Sequence, residues 1–259
     1  QTEHMRIGVS GAAGRQGRTV CAAVVADPDL VFAAAVDPFG VGETVEGVEV
    51  SGTLDAFADA SCDVVVAFPG ADASRPPLRW LADHGIHAVV GTTGFSAAAL
   101  EAAESAFGNA DAPNCVIAPN FAISAVLMMR FAEMAAPFFD TAEIIELHHD
   151  RKIDAPSGTA VKTAERMADA RDADFGADPT TDEVYAGARG GAGPAGIKVH
   201  SVRMRGMVAH QEVILGASGQ TLTVRQDSYD RASFMPGVVL ACKKIPNVPG
   251  LSRSLDPFL

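Results

Sequence analysis

Short apolar runs alternate with amphipathic stretches through the first half of the chain. Five runs are apolar at nearly every position and rich in β-branched residues, which is typical of strands buried on both faces: Met5–Ser10, Leu30–Val36, Cys62–Phe68, Ile86–Val90 and Asn114–Ala118. Helical periodicity between them predicts three helices: Gln16–Ala26, Pro77–His84 and Ser96–Phe107, the last with Ser96 as its N-cap. Strands that alternate with helices indicate an α/β fold with a parallel sheet and right-handed crossovers.

The pattern changes after residue 120. Two long helices and a strand are predicted first: Ile123–Ala136, Ala142–Leu147 as the strand, and Ser157–Ala170. Three strands then follow closely, before a last helix that is expected to return to the first domain: Lys198–Met204, Val208–Leu215, Thr221–Gln226 and Phe234–Lys243. Residues 172–196 are rich in Gly, Asp and Pro and are interpreted as a long excursion or a lid. The second half therefore predicts an α+β domain with an open mixed β-sheet.

A glycine-rich turn joins the first predicted strand to the first predicted helix. The sequence GVSGAAGRQG places Gly11, Gly14 and Gly17 there, a variant of the dinucleotide fingerprint. Such glycines let the backbone approach a pyrophosphate, whose charge meets the amides of the helix N-terminus. Asp37 ends the second strand, twenty residues after Gly17, where an acid accepts hydrogen bonds from an adenosine ribose. A plain tight turn is the alternative, but this context favours a Rossmann-type domain.

The residue after Asp37 bears on the choice of dinucleotide. It is Pro38, and not the Arg or Lys that the 2′-phosphate of NADP requires, while a carboxylate would repel that phosphate. We therefore expect a preference for NADH. NADPH stays open, because Arg15 or a residue distant in sequence can supply charge; Arg15 can equally be a solvated surface residue.

Two later loops follow predicted strands at the same edge of the sheet. They are Gly91-Thr92-Thr93-Gly94 and Ala118-Pro119-Asn120-Phe121. Ligands of open α/β sheets bind along the carboxyl ends of the strands, and small or hydroxyl residues there let a nicotinamide ring approach the backbone. Ordinary turns between strand and helix explain this spacing equally well.

A basic cluster precedes a helix start in the stretch HHDRKIDAPSGTA. His148, His149 and Lys152 come at the end of a predicted strand, and a Ser-Gly-Thr turn then opens a helix. The amides of a helix N-terminus and the Thr159 hydroxyl form an anion site. Histidine titrates near neutrality and can donate a proton. The cluster predicts a carboxylate-bearing substrate and proton transfer, with a solvated polar turn as the alternative.

Composition narrows the classes of function. The 259 residues are 48% hydrophobic and 20% charged, which suits a globular protein. No apolar run reaches about 18 residues and no leader precedes the first strand, so we expect a cytoplasmic protein without membrane contact. A net charge of −12 disfavours nucleic acid as a partner. The four cysteines form no Cys-x-x-Cys pair, which argues against a metal site and predicts buried thiols.

The stretch ELHHDRKIDAPSGTA resembles the signature of the 4-hydroxy-tetrahydrodipicolinate reductase family, long called dihydrodipicolinate reductase. GAAGRQG, GTTGF, APNFAI and SFMPGV match other family motifs in order, so the resemblance covers essentially the whole chain. It implies a dinucleotide-binding domain over residues 1–120, completed by 230–259. It also implies a substrate-binding and oligomerisation domain over residues 121–229 that assembles a homotetramer.

The resemblance further implies an activity in lysine and diaminopimelate biosynthesis. NADH or NADPH would reduce a small cyclic dicarboxylate, with loss of water, to tetrahydrodipicolinate. His148 would be a proton donor and acceptor and Lys152 a proton donor, while His149, Gly158 and Thr159 would contact the substrate. The dinucleotide would be lined by Gly11, Ala12, Ala13, Gly14, Arg15, Gln16, Asp37, Phe68, Gly91, Thr92, Thr93, Ala118, Pro119, Asn120 and Phe121. No metal is implied.

The chain departs from the family pattern at three places. Pro38 stands where the family often has a basic residue after the ribose-binding acid. Gln16 stands where the family usually has Met, and Ala67-Phe68-Pro69 stands where it has Asp-Phe-Thr, although Phe68 can still pack near a nicotinamide. Two alternatives stay open. One is a Rossmann dehydrogenase acting on another amino-acid-like dicarboxylate. The other is a non-catalytic dinucleotide sensor, which would have no use for His148 and Lys152.

Overall fold

The computed structural model describes residues 4–68, 78–92, 95–109 and 112–259. It divides into two compact units: the chain up to Ile123 together with Arg231–Leu259, and the continuous stretch Ser124–Asp230. These divisions fall close to the predicted boundaries at residues 120 and 230. The function assigned to each domain stays a prediction.

The helices and strands are numbered along the chain. They are β1 (Met5–Ser10), α1 (Arg15–Ala26), β2 (Leu30–Val36), β3 (Thr44–Val45), β4 (Val48–Ser51), α2 (Asp55–Asp59), β5 (Val64–Ala67), α3 (Leu78–Asp83), β6 (His87–Gly91), α4 (Ala97–Phe107), β7 (Cys115–Ala118), α5 (Ile123–Ala135), β8 (Thr141–His148), α6 (Gly158–Asp169), β9 (Gly191–Ala192), β10 (Lys198–Arg203), β11 (Ala209–Ala217), β12 (Gln220–Ser228), α7 (Met235–Lys244) and β13 (Leu251–Ser252). Short 3₁₀ turns follow α5 and α7.

The first unit is built on an eight-stranded sheet in the order β13-β7-β6-β5-β1-β2-β4-β3. Its strands pair in parallel, except that β3 runs antiparallel to β4. Val64, Val65 and Val66 of β5 are fully buried, as expected for a strand covered on both faces. The fold is therefore the predicted Rossmann-type α/β architecture.

The direction of strand addition reverses at β1. β2 lies on one side of it and β5 on the other, with Ser10 of β1 opposite Ala67 of β5. In open α/β sheets, ligands bind outside the carboxyl ends of the strands at this switch point. The residues that directly follow, Gly11 and Phe68, are both among the predicted dinucleotide contacts.

The second unit carries a five-stranded sheet in the order β12-β11-β8-β10-β9. β10 runs parallel to β8, whereas β11 runs antiparallel to both β8 and β12, so the sheet is mixed as predicted. Ala142, Ile144 and Glu146 alternate along β8 as buried residues on the face that α6 contacts. The alternating pattern points one glutamate, Glu146, into the interior.

Most predicted elements are present, with ends shifted by one or two residues. The strands β3, β4, β9 and β13 and the helix α2 were missed, because each is short and lacks an apolar run as continuous as that of β5 or β7. β4 nevertheless extends the sheet by pairing in parallel with β2. Pro77, the predicted start of α3, lies outside the described residues. All four cysteines are buried free thiols, as predicted.

The segment predicted as an excursion or lid, residues 172–196, contains β9 and is otherwise irregular. Phe175 is buried in it, and Asp178 pairs with Arg189 at 3.3 Å and with Lys198 of β10 at 3.2 Å. These contacts tie the segment to its own unit. Its proposed role as a lid or a subunit arm stays a prediction.

Asn114 anchors the C-terminal part of the chain to the first unit. Its side-chain amide donates to the carbonyl oxygens of Ile245 (2.8 Å) and Pro246 (3.2 Å). Its side-chain oxygen accepts from the backbone N–H of Gly250 at 2.9 Å. A buried asparagine thus satisfies three backbone groups of the segment that ends in β13, which pairs with β7.

Replacing Asn114 by Ala should lower the free energy of unfolding by about 2–3 kcal/mol, because buried backbone groups lose their partners. Urea unfolding followed by circular dichroism measures this. Asn109→Ala is the matched control, since Asn109 is exposed in the same unit. Equal stability of the two variants would contradict the anchoring role of Asn114.

Candidate active site

The turn between β1 and α1 can hold a phosphate only because one side chain is absent. A Cβ atom at Gly17 would lie 1.9 Å from the carbonyl oxygen of Gly11, so α1 packs directly on the turn. Gly11 also donates its N–H to the Val36 oxygen at 2.7 Å, which fixes the turn to the end of β2. The N-terminus of α1 is thereby held at the switch point of the sheet, where its amides favour an anion.

The first residues of α1 also suit a dinucleotide. Arg15 is exposed, and Gln16 is half-buried with a buried side-chain nitrogen that has no hydrogen-bond partner in the described structure. A buried donor without a partner costs free energy, and a phosphate oxygen would satisfy it. Ala12 is fully buried and Gly14 is the N-cap of α1, so both contribute backbone to this site.

Asp37 links the end of β2 to the same turn. Its carboxylate is 6% exposed and accepts from the N–H groups of Ala13 (3.1 Å) and Phe39 (2.9 Å), one at each oxygen. Each carboxylate oxygen accepts two hydrogen bonds, so capacity remains for ribose hydroxyls. Arg18 lies close by, but it pairs with Glu43 and donates to the Ala13 oxygen.

Three strand ends meet at the aromatic pair of the first unit. Phe68 follows β5 and contacts Phe121, which follows β7, edge to face with 5.7 Å between ring centroids. A Cβ atom at Gly91, the end of β6, would lie 2.0 Å from the Phe68 ring. The structure thus brings together three predicted residues from three loops. Phe121 is 1% exposed, so it packs against the half-buried Phe68 and has almost no solvent-exposed surface of its own.

Four further predicted dinucleotide contacts, Thr92, Ala118, Pro119 and Asn120, lie next to these residues in the chain. Thr92 donates its N–H to the Ala118 oxygen at 3.2 Å, and the Asn120 side chain accepts from the N–H of Ala122 at 2.8 Å. Ala118 is fully buried, whereas Pro119 is exposed. Thr93 lies outside the described residues.

In the second unit, His148 ends β8 and is held by a buried acid. The Nδ1 atom of His148 lies 2.5 Å from a carboxylate oxygen of Glu146. The His148 side chain is 16% exposed and that of Glu146 is fully buried. Arg203 of β10 donates to both oxygens of the same carboxylate, at 2.9 and 2.7 Å. A carboxylate, an imidazole and a guanidinium therefore form one compact cluster.

The donors around Glu146 outweigh the effect of its burial. Burial by itself raises the pKa of a carboxyl group, but hydrogen bonds from His148, Arg203 and Ser201 lower the pKa of Glu146 to about 2. The carboxylate is consequently charged at neutral pH, and it faces the histidine predicted to transfer a proton.

The loop after His148 carries the second predicted donor. The Nζ atom of Lys152 lies 2.8 and 2.7 Å from the two carboxylate oxygens of Asp154, and the Lys152 side chain is 21% exposed. This hydrogen bond lowers the pKa of Asp154. His149 accepts from the N–H of Arg151 at 3.3 Å. Asp154 therefore holds the Lys152 side chain in place near the surface of the loop.

The loop ends where α6 begins. Ser157 is the N-cap, as expected for the Ser-Gly-Thr turn, and its hydroxyl accepts from the N–H of Ala160 at 3.2 Å. Gly158 is exposed and Thr159 is half-buried at the first turn of the helix. A twelve-residue helix presents the positive end of its dipole here. All five predicted catalytic and substrate-binding residues thus lie in this one unit.

The sequence analysis missed Glu146, Ser201 and Arg203. Glu146 could have been identified from the sequence, because it stands two residues before His148 and therefore on the same face of a predicted strand. Arg203 gave no signal, since it lies 57 positions from Glu146 and meets it only through the pairing of β10 with β8.

The described residues contain neither a metal-binding group of side chains nor a helix that could span a membrane. No group of three or more His, Cys, Asp or Glu side chains in this part of the chain is placed to hold a metal ion. In the same described ranges, no helix is both long and apolar enough to cross a membrane.

Comparisons with known proteins agree with this arrangement. Residues 5–121 match the family model of the N-terminal part of dihydrodipicolinate reductase, and residues 124–256 match that of its C-terminal part. The chain is 49% identical over 257 residues to a 4-hydroxy-tetrahydrodipicolinate reductase of Nocardia farcinica, covering 98% of each chain. It is 46% identical over 255 residues to that of Mycobacterium marinum, covering 98% of this chain and 99% of the relative.

A solved structure is also similar over its full length. It is a dipicolinate-bound dihydrodipicolinate reductase from Paenisporosarcina sp. TG-14, with a TM-score of 0.85 and 33% identity. The match covers 99% of this chain and 100% of the other.

The depressed pKa of Glu146 predicts a pH-dependent contribution to stability. A carboxyl group with a folded-state pKa of about 2 and an ordinary value of 4.5 stabilises the fold above pH 4.5, and this contribution is lost as the pH falls towards 2. Its size is about 3 kcal/mol. The free energy of unfolding should therefore fall more steeply over this range in the unmodified protein than in Glu146→Gln.

Urea unfolding at several pH values between 2 and 5 measures the effect. Glu101→Gln, at an exposed position on α4, should keep the steep dependence. Parallel curves for the unmodified protein and Glu146→Gln would rule out the contribution of this carboxylate.

Proposed function

The chain belongs to the dihydrodipicolinate reductase family and is an oxidoreductase of lysine and diaminopimelate biosynthesis, and we propose that His148 and Lys152 transfer the protons of its reaction. The reaction is the reduction of 4-hydroxy-tetrahydrodipicolinate to tetrahydrodipicolinate with loss of water. One observation carries the proposal. A buried charged carboxylate, Glu146, holds His148 at the end of β8 in the unit where a helix N-terminus can bind the substrate.

The residues of the first unit fit a nicotinamide dinucleotide. The turn from Gly11 to Gly14, the N-terminus of α1 and the Gln16 side chain would hold its phosphates, and Asp37 would accept from a ribose. The surroundings of Phe68 would receive the nicotinamide ring. When bound, the reduced cofactor supplies the hydride that the substrate accepts.

The substrate is a dianion, and the second unit offers it complementary charge. The positive end of the α6 dipole favours an anion, so Gly158 and Thr159 in the first turn of this helix would bind one carboxylate. His149 lies just before this turn and would add a polar contact. Dipicolinate, which is bound in the similar structure from Paenisporosarcina, is a dicarboxylate of the same kind.

Proton transfer completes the reaction. Reduction leaves negative charge on the ring, and a proton from His148 or Lys152 would neutralise it. Glu146 lies 2.5 Å from Nδ1 of His148, and the Nζ atom of Lys152 lies 2.7 Å from a carboxylate oxygen of Asp154. General acid catalysis of this kind contributes about 10²–10⁴-fold to a rate.

We further propose that NADH is the preferred cofactor. The Asp37 carboxylate would repel the 2′-phosphate of NADPH, and Pro38 brings no compensating charge. Arg18, a cation close to this turn, already pairs with Glu43. Arg15 is the exposed cation that would allow NADPH to bind as well.

We also propose a cytoplasmic homotetramer that forms through the sheet of the second unit. The face of β8 opposite the buried Ile144 carries Glu143, Ile145 and Leu147, which are all partly exposed. A half-exposed sheet face with two aliphatic side chains suits burial against another copy. The cytoplasm is the expected compartment of a biosynthetic enzyme with this composition.

Two other functions fit the fold less well. A dehydrogenase for another amino-acid-like dicarboxylate would use the same two units, and a panel of substrates separates it from the proposed reductase. A non-catalytic dinucleotide sensor leaves the buried Glu146–His148 pair without a purpose.

Replacing Lys152 by Ala should lower kcat by about 10²-fold or more, because a proton donor is lost. The dissociation constant for NADH should stay unchanged, since Lys152 lies in the second unit and the dinucleotide residues lie in the first. Steady-state kinetics and NADH fluorescence titration measure both. Lys162→Ala is the control, at an exposed position of α6. Retained turnover in Lys152→Ala would refute the assigned role.

Replacing Asp37 by Asn should lower the ratio of kcat/KM for NADH over NADPH by about tenfold, the equivalent of about 1.4 kcal/mol. The substitution removes the charge that repels a 2′-phosphate at nearly constant shape. Steady-state kinetics with both cofactors give the ratio. Asp59→Asn, at an exposed position of α2, should leave it unaltered. An unchanged ratio in Asp37→Asn would show that this carboxylate does not select the cofactor.

A further inference from the structure

A fully buried carboxylate needs an explanation beyond packing. Glu146 has no exposed side-chain surface, and taking a charged group out of water costs several kcal/mol unless donors surround it. An apolar side chain at the same position of β8 would cover the core more cheaply. The donors that surround this carboxylate therefore indicate its role.

The donors come from three separate parts of the second unit. His148 stands on the same strand, Arg203 stands on the neighbouring strand, and the N–H of Ser157 donates to Glu146 at 3.2 Å from the start of α6. Arg203 also donates to the backbone carbonyl oxygen of Asp154 at 2.6 Å. Arg203 thereby connects the end of β8, through its ion pair with Glu146, to the far end of the loop that carries Lys152.

The geometry at His148 is specific to one ring nitrogen. Nδ1 faces the carboxylate at 2.5 Å, so the proton of the neutral ring is retained there and Nε2 is the nitrogen that remains for chemistry. A carboxylate behind a histidine fixes the tautomer and the ring orientation in other enzymes with proton-transferring histidines. Free rotation of the ring about its side-chain bonds is prevented in the same way.

We propose that Glu146 is a positioning residue that holds His148 with its proton on Nδ1 and Nε2 directed to the substrate, and that Arg203 keeps Glu146 in place. This inference rests on the proposed role of His148 in proton transfer. It adds to that role by assigning the reactive nitrogen and by linking it to the loop of Lys152 and the start of α6.

A second glutamate of β8 provides a matched comparison. Glu143 lies 2.7 Å from the Nε2 atom of His200 and 2.5 Å from a nitrogen of Arg189, so it forms a similar carboxylate–imidazole–guanidinium cluster. Three positions separate it from Glu146, so its side chain points to the other face of the strand. Glu143→Gln thus removes the same charge from the same strand without touching His148.

The test compares Glu146→Gln, Glu143→Gln and His148→Gln in the full-length protein. A proton shared between an imidazole and a carboxylate gives a far-downfield ¹H NMR signal. The signal of the His148 Nδ1 proton is identified by its loss in His148→Gln. We expect Glu146→Gln to lose this signal and to lower kcat at least tenfold, with KM and the dissociation constant for NADH changed less than threefold. Glu143→Gln should keep both the signal and kcat.

A double variant guards against a simple loss of stability. Glu146→Gln leaves the Arg203 guanidinium buried without its partner, which is destabilising, whereas Glu146→Gln with Arg203→Met removes both charges. We expect this double variant to fold, to lack the downfield signal and to have the low kcat of the single variant.

The outcomes separate this inference from the proposed function. If Glu146→Gln or the double variant keeps full kcat while His148→Gln loses it, Glu146 does not position the histidine and the inference is wrong. An equal loss of kcat in Glu143→Gln would also overturn it. If His148→Gln itself keeps full turnover, the proposed role of His148 is wrong, whatever the NMR signal shows.

Discussion

The ion pair between Glu146 and Arg203 is the interaction on which the second unit depends. It joins the central strand β8 to its parallel neighbour β10, and it pairs a fully buried carboxylate with a guanidinium that is 19% exposed. Every other donor of the cluster is directed by it, including an imidazole, a serine hydroxyl and a helix N-terminal amide. Breaking such a pair from one side is far more costly than never forming it, which makes the local geometry rigid.

The first unit reaches a comparable rigidity by the opposite means. Its turn at β1 and its aromatic pair depend on missing side chains, at Gly17 and Gly91, where any Cβ atom would overlap backbone or ring atoms. The backbone of both turns can therefore be approached closely, with little polar side-chain chemistry around it. In the proposed function, the first unit would supply this close backbone approach, and the second unit would supply charge and protons.

The sequence was most informative where one residue's environment follows from its neighbours in the chain. Val64-Val65-Val66 marks a buried strand, and Ser157 before Gly158 marks a helix start, because both signals are local. The short strands β3 and β4 were not predicted because they contain no continuous apolar run, unlike the equally short β5 and β7. Arg203 escaped because its partner is set by strand pairing, which no local pattern encodes. The burial of Phe121 was likewise invisible, since an aromatic residue in a loop suits a ligand site and a core equally well.

The way the chain closes the first unit has a consequence for its synthesis. The hydrogen-bond partners of Asn114 are Ile245, Pro246 and Gly250. The first unit therefore lacks its strand β13 until the chain has been made beyond residue 252. The second unit is continuous from Ser124 to Asp230, so all of its strands and helices are made before the last part of the first unit. On a ribosome, where domains fold as units from the N-terminus, the order is therefore inverted. The first unit begins first and is completed last. The second unit can fold while the first unit still lacks its edge strand β13.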